Sequence, residues 1–168
     1  PYTTPIGPTY DSGDFPTNFE QVLEMGDYAG FEARRAEAAQ RGKLRGISAI
    51  NFVEQTAQTD GETVRIQFDP SGYVTVVAGS ISHGQGHETM YKVVVSDKLG
   101  IDADHIRIQW GDTDRISWGG GTYASRTAIL GGSAAANAAD KIIAKGQEIA
   151  AHLLEAGVGD IEFSDGTY

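Results

Sequence analysis

The sequence contains no cysteine. That excludes disulfides, thiolate metal sites and cysteine nucleophiles, and it is the composition expected of a chain kept in a reducing, cytoplasmic compartment. No apolar run approaches the roughly 20 residues that span a bilayer; the longest, around Ala134 to Ala139, is alanine with polar interruptions. No basic stretch followed by an apolar one opens the chain, so no secretion signal is expected. Positive charge is scarce: 13 Lys and Arg stand against 23 Asp and Glu, for a formal charge of −10. Nucleic-acid binding requires clustered cations, and these are scattered. The nearest cluster, Arg34, Arg35, Arg41, Lys43 and Arg45, reads as the solvated end of a helix. Also absent are the Gly-Lys-Ser/Thr of a phosphate loop and the dinucleotide fingerprint after a strand.

What is present fits one globular domain: 168 residues, 40% hydrophobic and 21% charged. The 22 glycines gather in two places, Gly79 to Gly86 and Gly119 to Gly132. The chain opens at Pro1 and closes on Asp165-Gly166-Thr167-Tyr168, a hairpin turn entering a strand. A piece of a longer chain is therefore expected.

Residues 1 to 18, rich in Pro, Gly, Thr and Asp, read as an extended arm. Asn18 is placed to cap a helix from Phe19 to Gln40, broken or weakened at Gly26 and closed by Gly42. Leu44 to Glu54, with Ile47, Ile50, Phe52 and Val53, predicts a largely buried strand. Thr63 to Phe68 alternates strictly, Asp69-Pro70-Ser71-Gly72 is a turn, and Tyr73 to Ala78 returns as a strand. A helix follows from His87 to Leu99, closed by Gly100, then a strand from His105 to Trp110. After a second glycine-rich stretch, a long helix runs from Ser125 to Glu155, with Ala135, Ala138, Ala139, Ile142, Ile149 and Leu153 as its apolar stripe. Ile161 to Phe163 starts a last strand. The layout is α+β: a mixed β-sheet with two main packed helices, preceded by a helical lead-in. The expected division is an arm and lead-in helix over 1–43 and a second part over 44–168.

Both glycine-rich segments fall where a strand ends and a helix begins. Helix N-termini carry unpaired N–H groups and the positive end of the dipole, so they bind anions, and glycine lets the backbone come close. Two such loops can grip an extended anion such as a pyrophosphate. Gln85, between two glycines, packs little and offers an amide with both donors and acceptors. Arg126 at a helix start opposes the dipole, which predicts an anion or a carboxylate such as Asp112 or Asp114 beside it. Elsewhere the plain readings hold. His83 and His87 are separated by glycines and lack a matching third ligand, so no metal site is expected. Asp112 and Asp114 read as turn closers, and Ser125 has no histidine at a useful spacing.

At these residues the chain resembles the xanthine dehydrogenase and aldehyde oxidase superfamily. The segment Gly79-Ser80-Ile81-Ser82-His83-Gly84-Gln85-Gly86-His87-Glu88-Thr89 is similar to its Gly-Gln-Gly-His loop. Gly111-Asp112-Thr113-Asp114 and Gly121-Thr122-Tyr123-Ala124-Ser125-Arg126-Thr127 resemble its second cofactor-holding segment. Tyr10 to Pro16 and Gly46 to Glu54 also follow the pattern, in the manner of the large subunit of aerobic carbon monoxide dehydrogenase-like proteins. The resemblance implies the second molybdopterin-binding domain-like portion of a large subunit. It also implies a molybdopterin cofactor, in bacteria often the cytosine dinucleotide, carrying molybdenum. Electrons would leave through iron–sulfur and flavin subunits or domains. Carried over residue by residue, the cofactor contacts are Gly84, Gln85, Gly86, His87, Thr122, Ala124, Ser125, Arg126 and Thr127.

The departures are Val93 where glutamine is common, Ala124 where glycine is usual, and Ser117-Trp118 in a tyrosine or proline region. The family's other glycine-rich loop, its substrate-side loop and its C-terminal glutamate base are not in the sequence. No residue is thus assigned as catalytic or as a metal ligand, and the isolated chain is expected to be inactive and without cofactor. Two other readings stand beside this one: a stand-alone anion- or nucleotide-binding module without redox activity, and a structural domain whose glycines are turns.

Overall fold

The computed structural model describes residues 1–54, 56 and 61–168. The chain divides into two compact units, Pro1–Val53 and Glu54–Tyr168. The division expected from sequence lay ten residues earlier, after residue 43.

In the first unit, β1 (Tyr2–Thr3) pairs antiparallel with β2 (Thr9–Tyr10). The expected helical stretch is broken at Gly26, one of the two outcomes expected there, into α1 (Phe15–Met25) and α2 (Phe31–Gln40). The cap is Asp14, not Asn18; its carboxylate accepts from the Thr17 N–H at 3.2 Å. Pro16 suits the first turn, where its fixed φ is pre-set and its missing N–H is not needed. The break extends over 26–30. Asp27 has φ +43°, and the Arg34 guanidinium binds its carboxylate together with the carbonyls of Gly26 (3.1 Å) and Asp27 (2.6 Å). A cation thereby satisfies carbonyls that a continuous helix would have used. Gly42, at φ +68°, closes α2 as expected. At the solvated end of α2, Arg35 pairs with Glu32 at 3.2 Å and Arg41 with Glu37 at 2.9 Å, while Lys43 and Arg45 lie beyond the helix.

Residues 44–53 form neither helix nor strand, contrary to the expected buried strand. Leu44, Ile50 and Phe52 are exposed. Alternation makes a segment fit to be a strand, but a strand needs a partner ladder, and none pairs with it among the described residues.

In the second unit, β3 (Val64–Phe68) and β4 (Val74–Ala78) form the expected hairpin, with Val64 opposite Ala78 and Phe68 opposite Val74. Its turn is closed by the Asp69 N–H to Tyr73 O (2.8 Å), and the Asp69 carboxylate accepts from the Ser71 N–H (2.8 Å) and the Ser71 hydroxyl. Helix α3 (His87–Leu99) is the crossover that a parallel pair requires and has the bounds the sequence predicts, with Gly100 at φ +63°. It leads to β5 (Ile106–Trp110), parallel to β4, so the sheet order is β3-β4-β5. A π-helical turn, Thr127–Gly131, precedes α4 (Gly132–Leu154).

The α+β layout with two main helices stands. Pleating sends Val76, Ala78 and Ile106 to one face, where they meet Tyr91, Val95 and Leu99 of α3 and Ala135 and Ala139 of α4 in one core. Each fully buried valine there contributes about 1.5–3 kcal/mol. The other face carries Arg65, Gln67, Thr75 and Arg107. The predicted stripe on α4 holds at Ala135 and Ala139, but Ile149 and Leu153 are exposed, and the buried residue at that end of the helix is Ala151. The expected strand at Ile161–Phe163 does not form. Only the turn beyond it does, as one bridge between Ser164 and Thr167.

Candidate functional site

Strands β4 and β5 are parallel neighbours, so the loops after them leave the sheet at the same edge. In open sheets that edge, outside the carboxyl ends of the strands, is where ligands bind. The first loop runs from Gly79 to Gly86 and enters α3; the second runs from Gly111 to Arg126 and enters the π-helical turn before α4.

In the first loop, Gly84 (φ +101°) and Gly86 (φ +81°) are left-handed. A Cβ at either would meet nothing within 4 Å, so conformation rather than space requires glycine there. Gly86 is the N-cap of α3 and no side chain caps the helix, which leaves its first N–H groups facing outward. Gly84, Gln85 and Gly86 are exposed. The Gln85 amide oxygen folds onto its own loop, accepting from the Ser82 hydroxyl at 3.3 Å and from the His83 N–H. His87 is buried, with Nδ1 3.3 Å from the Ile81 carbonyl. Among the described residues no three metal-capable side chains gather.

The second loop is shaped differently. Ala124 (φ +46°) and Ser125 (φ +52°) are consecutive left-handed residues that are not glycine. Each costs roughly 1–2 kcal/mol, and strain of this kind persists only where the surroundings enforce it. Ser125 is exposed and Ala124 half-buried. Thr122 and Thr127 instead turn inward: the Thr127 hydroxyl donates to Thr122 Oγ1 at 3.1 Å, and the Thr122 hydroxyl donates to the Ile81 carbonyl at 2.6 Å. Ile81 O therefore takes contacts from both loops.

One further contact joins the loops, and another ties the first loop to the π-helical turn. Gly79 and Gly119 touch backbone to backbone: a Cβ at Gly79 would lie 2.6 Å from the Gly119 Cα, and one at Gly119 would overlap the Gly79 carbonyl. Tyr91, fully buried, sets its hydroxyl 3.2 Å from Ser80 Oγ and against Gly131, where a Cβ would overlap it. Burial pushes that hydroxyl's pKa above the ordinary tyrosine value.

Arg126 meets neither Asp112 nor Asp114. Those residues form a turn, with Asp112 Oδ1 accepting from the Asp114 N–H at 3.0 Å and its carbonyl from the N–H groups of Arg115 (3.1 Å) and Ile116 (3.2 Å). Among the described residues, the carboxylate beside Arg126 is Glu62, at 2.9 Å, and both side chains are completely buried. Arg126 also donates to the carbonyls of Gly121 (2.7 Å) and Gly61 (2.5 Å). Glu62 and Tyr91 are the residues that sequence reasoning missed. Tyr91 could have been found as a large polar-tipped residue on the inner stripe of α3. Glu62 carries no local signal, since its partner lies 64 residues away.

The sequence candidates thus separate into two groups around one edge. Gly84, Gln85, Gly86 and Ser125 face outward, with Ala124 half-buried beside them, whereas His87, Thr122, Arg126 and Thr127 are turned into the fold. Residues 21–168 match the molybdopterin cofactor-binding domain family. The chain belongs to that family. It is 38% identical over 180 residues to the carbon monoxide dehydrogenase large chain of Afipia carboxidovorans, covering 97% of this chain and 22% of that protein. It is 34% identical over 178 residues to the nicotine 6-hydroxylase large subunit of Paenarthrobacter nicotinovorans, covering 99% of this chain and 22% of that one. Among solved structures, a Cu,Mo-CO dehydrogenase in its carbon monoxide reduced state superposes with a TM-score of 0.64 at 36% identity, over 98% of this chain and 23% of that chain. The chain therefore spans about a fifth of the length of these relatives. The family resemblance read from the glycine-rich motifs stands, and Ala124, the departure from glycine, is one of the two strained positions.

Proposed function

We propose that this chain is the portion of a molybdenum hydroxylase-type large subunit that holds molybdopterin against the two joined helix starts. The observation that carries the reading is the meeting of two helix entries without side-chain caps at one sheet edge, tied at the Ile81 carbonyl. The residues fit an anionic, hydrogen-bonding group. Gly84, Gln85 and Gly86 offer backbone N–H groups and an amide, Ala124 offers backbone, and Ser125 offers a hydroxyl on an exposed surface. His87, Thr122, Arg126 and Thr127 keep that surface in shape. The holding part is the compact unit Glu54–Tyr168, within the expected 44–168.

When bound, the cofactor supplies the molybdenum redox centre; this chain's own residues only bind and orient. A helix N-terminus is worth about 0.3–1 kcal/mol to an anion, and about 2 in good geometry. Two of them give about 4 kcal/mol at most, an affinity near millimolar. A chain of charge −10 holding an anion that weakly must share it with the rest of the large subunit. On this reading the isolated chain is inactive and loses cofactor. The cytosine dinucleotide form, iron–sulfur and flavin partners and a cytoplasmic setting complete the proposal.

The test is Gln85→Ala in the complete subunit. Gln85 is exposed and supports no core contact, so Tm should stay within about 1 °C while molybdenum and pterin content falls severalfold. Full molybdenum content in that variant would overturn the assignment.

A further inference from the structure

We infer that Glu62, outside both glycine-rich loops, is the positioning residue of this site, acting through Arg126. The inference rests on the cofactor-holding role proposed above. A glutamate and an arginine whose side chains are both 0% exposed carry a large desolvation cost, which mutual attraction offsets only if their remaining hydrogen-bonding groups are satisfied. Here one Glu62 oxygen and both terminal guanidinium nitrogens are engaged on backbone. One Glu62 oxygen accepts from the N–H groups of Thr63 at 3.0 Å and Gly120 at 3.3 Å, and the other accepts from Arg126 Nη1 at 2.9 Å. The guanidinium in turn takes the carbonyls of Gly61 and Gly121.

The pair closes the segment Gly120–Arg126 into a ring whose outer rim is Tyr123 and the strained Ala124-Ser125. Gly120 is glycine because a Cβ there would overlap the guanidinium. The Tyr123 ring lies 5.3 Å from the guanidinium carbon, and the Arg126 N–H donates to the Tyr123 carbonyl at 3.1 Å. Two consecutive left-handed non-glycine residues relax unless both ends of the segment are held, and the ion pair holds both. The cation is engaged inside the fold, so the outer rim meets an anion with neutral donors, whose geometry Glu62 sets from the start of β3.

The test uses the complete subunit purified with its cofactor and compares Glu62→Gln with Ile106→Ala. Ile106 is buried in the core at the opposite end of β5, so its truncation matches a loss of stability without touching the loops. Glu62→Gln is expected to lower retained molybdenum and pterin per folded molecule by about tenfold or more, the range seen when an outer-shell partner is removed. It should also speed hydrogen exchange at the Gly120 and Arg126 N–H groups in the cofactor-stripped protein. Ile106→Ala should lower Tm yet keep cofactor stoichiometry and loop protection. If Glu62→Gln fails to fold, Arg126→Lys serves: its single ammonium cannot span Glu62 and two carbonyls together, and the same losses are expected. Retention of cofactor and loop protection equal to the Ile106→Ala control, in whichever of the two variants folds, overturns the inference. Gln85→Ala in the same preparation separates the two claims. Loss of cofactor in Gln85→Ala alone removes Glu62 from the site, whereas full retention in both variants removes the loops as well.

Discussion

The two loops that frame the site reach a similar end by opposite means. The first, Gly79 to Gly86, obtains its left-handed turns from Gly84 and Gly86, where φ is positive at no steric cost and the space around them is open. It needs little holding, and its outer residues are exposed. The second, Gly111 to Arg126, forces Ala124 and Ser125 into the same backbone region and holds them with a buried ion pair, two inward threonines and a glycine-to-glycine contact with the first loop. One loop is permissive and the other is enforced. The lesson is that a motif rich in glycine does not by itself say which residues bear strain; here the strained pair are the non-glycine residues between glycine stretches.

The comparison can be broken most directly where the loops touch. Gly119→Ala would put a methyl into the Gly79 carbonyl, and both neighbours are backbone, so neither yields by a rotamer change. An overpacking cost of about 3 kcal/mol is expected in urea unfolding, and a change under about 0.5 kcal/mol would show that the loops are not in backbone contact. A smaller effect sharpens the picture at Tyr91, which ties Ser80 of the first loop to Gly131 behind the second. Tyr91→Phe removes one buried hydrogen bond and should cost about 1 kcal/mol near pH 7. Its pH dependence has a definite sign. The folded pKa is raised, so the tyrosine's contribution is fully present below about pH 10, the ordinary value, and is lost as pH rises through the folded value. Stability measured above pH 10 should fall more steeply for the natural protein than for Tyr91→Phe; parallel curves would contradict the buried hydroxyl. The smallest effect is at the strained rim. Ala124→Gly relieves roughly 1–2 kcal/mol of left-handed strain against about 0.5–1 kcal/mol of added chain entropy. A net gain of about 0.5–1 kcal/mol in unfolding free energy is expected, and a loss would mean that Ala124 is not left-handed in solution.

Much of the fold was legible because its signals are local. The β3–β4 hairpin follows from strict alternation around Asp69-Pro70-Ser71-Gly72, and α3 from a run ending in Gly100. Local signals also misled. Residues 44–53 alternate as a strand does, yet a strand exists only where another offers its backbone. Asn18 is a competent cap, but Asp14 with Pro16 begins the helix earlier. At the site, Gly84 to Gly86 and Thr122 to Thr127 were visible as motifs, though not which of them face outward.

The sequence alone determined where the backbone could turn, because glycine, proline and capping side chains act on residues within a few positions of themselves. It also determined the family, through the order and spacing of two motifs. Only the tertiary structure decided that Arg126 is answered by Glu62 rather than by Asp112 or Asp114, and that Ile81 lends one carbonyl to both loops. Those contacts depend on the register of β3 beside β4 and on the parallel placement of β5. Side chains 64 residues apart become neighbours only when a sheet has set that register.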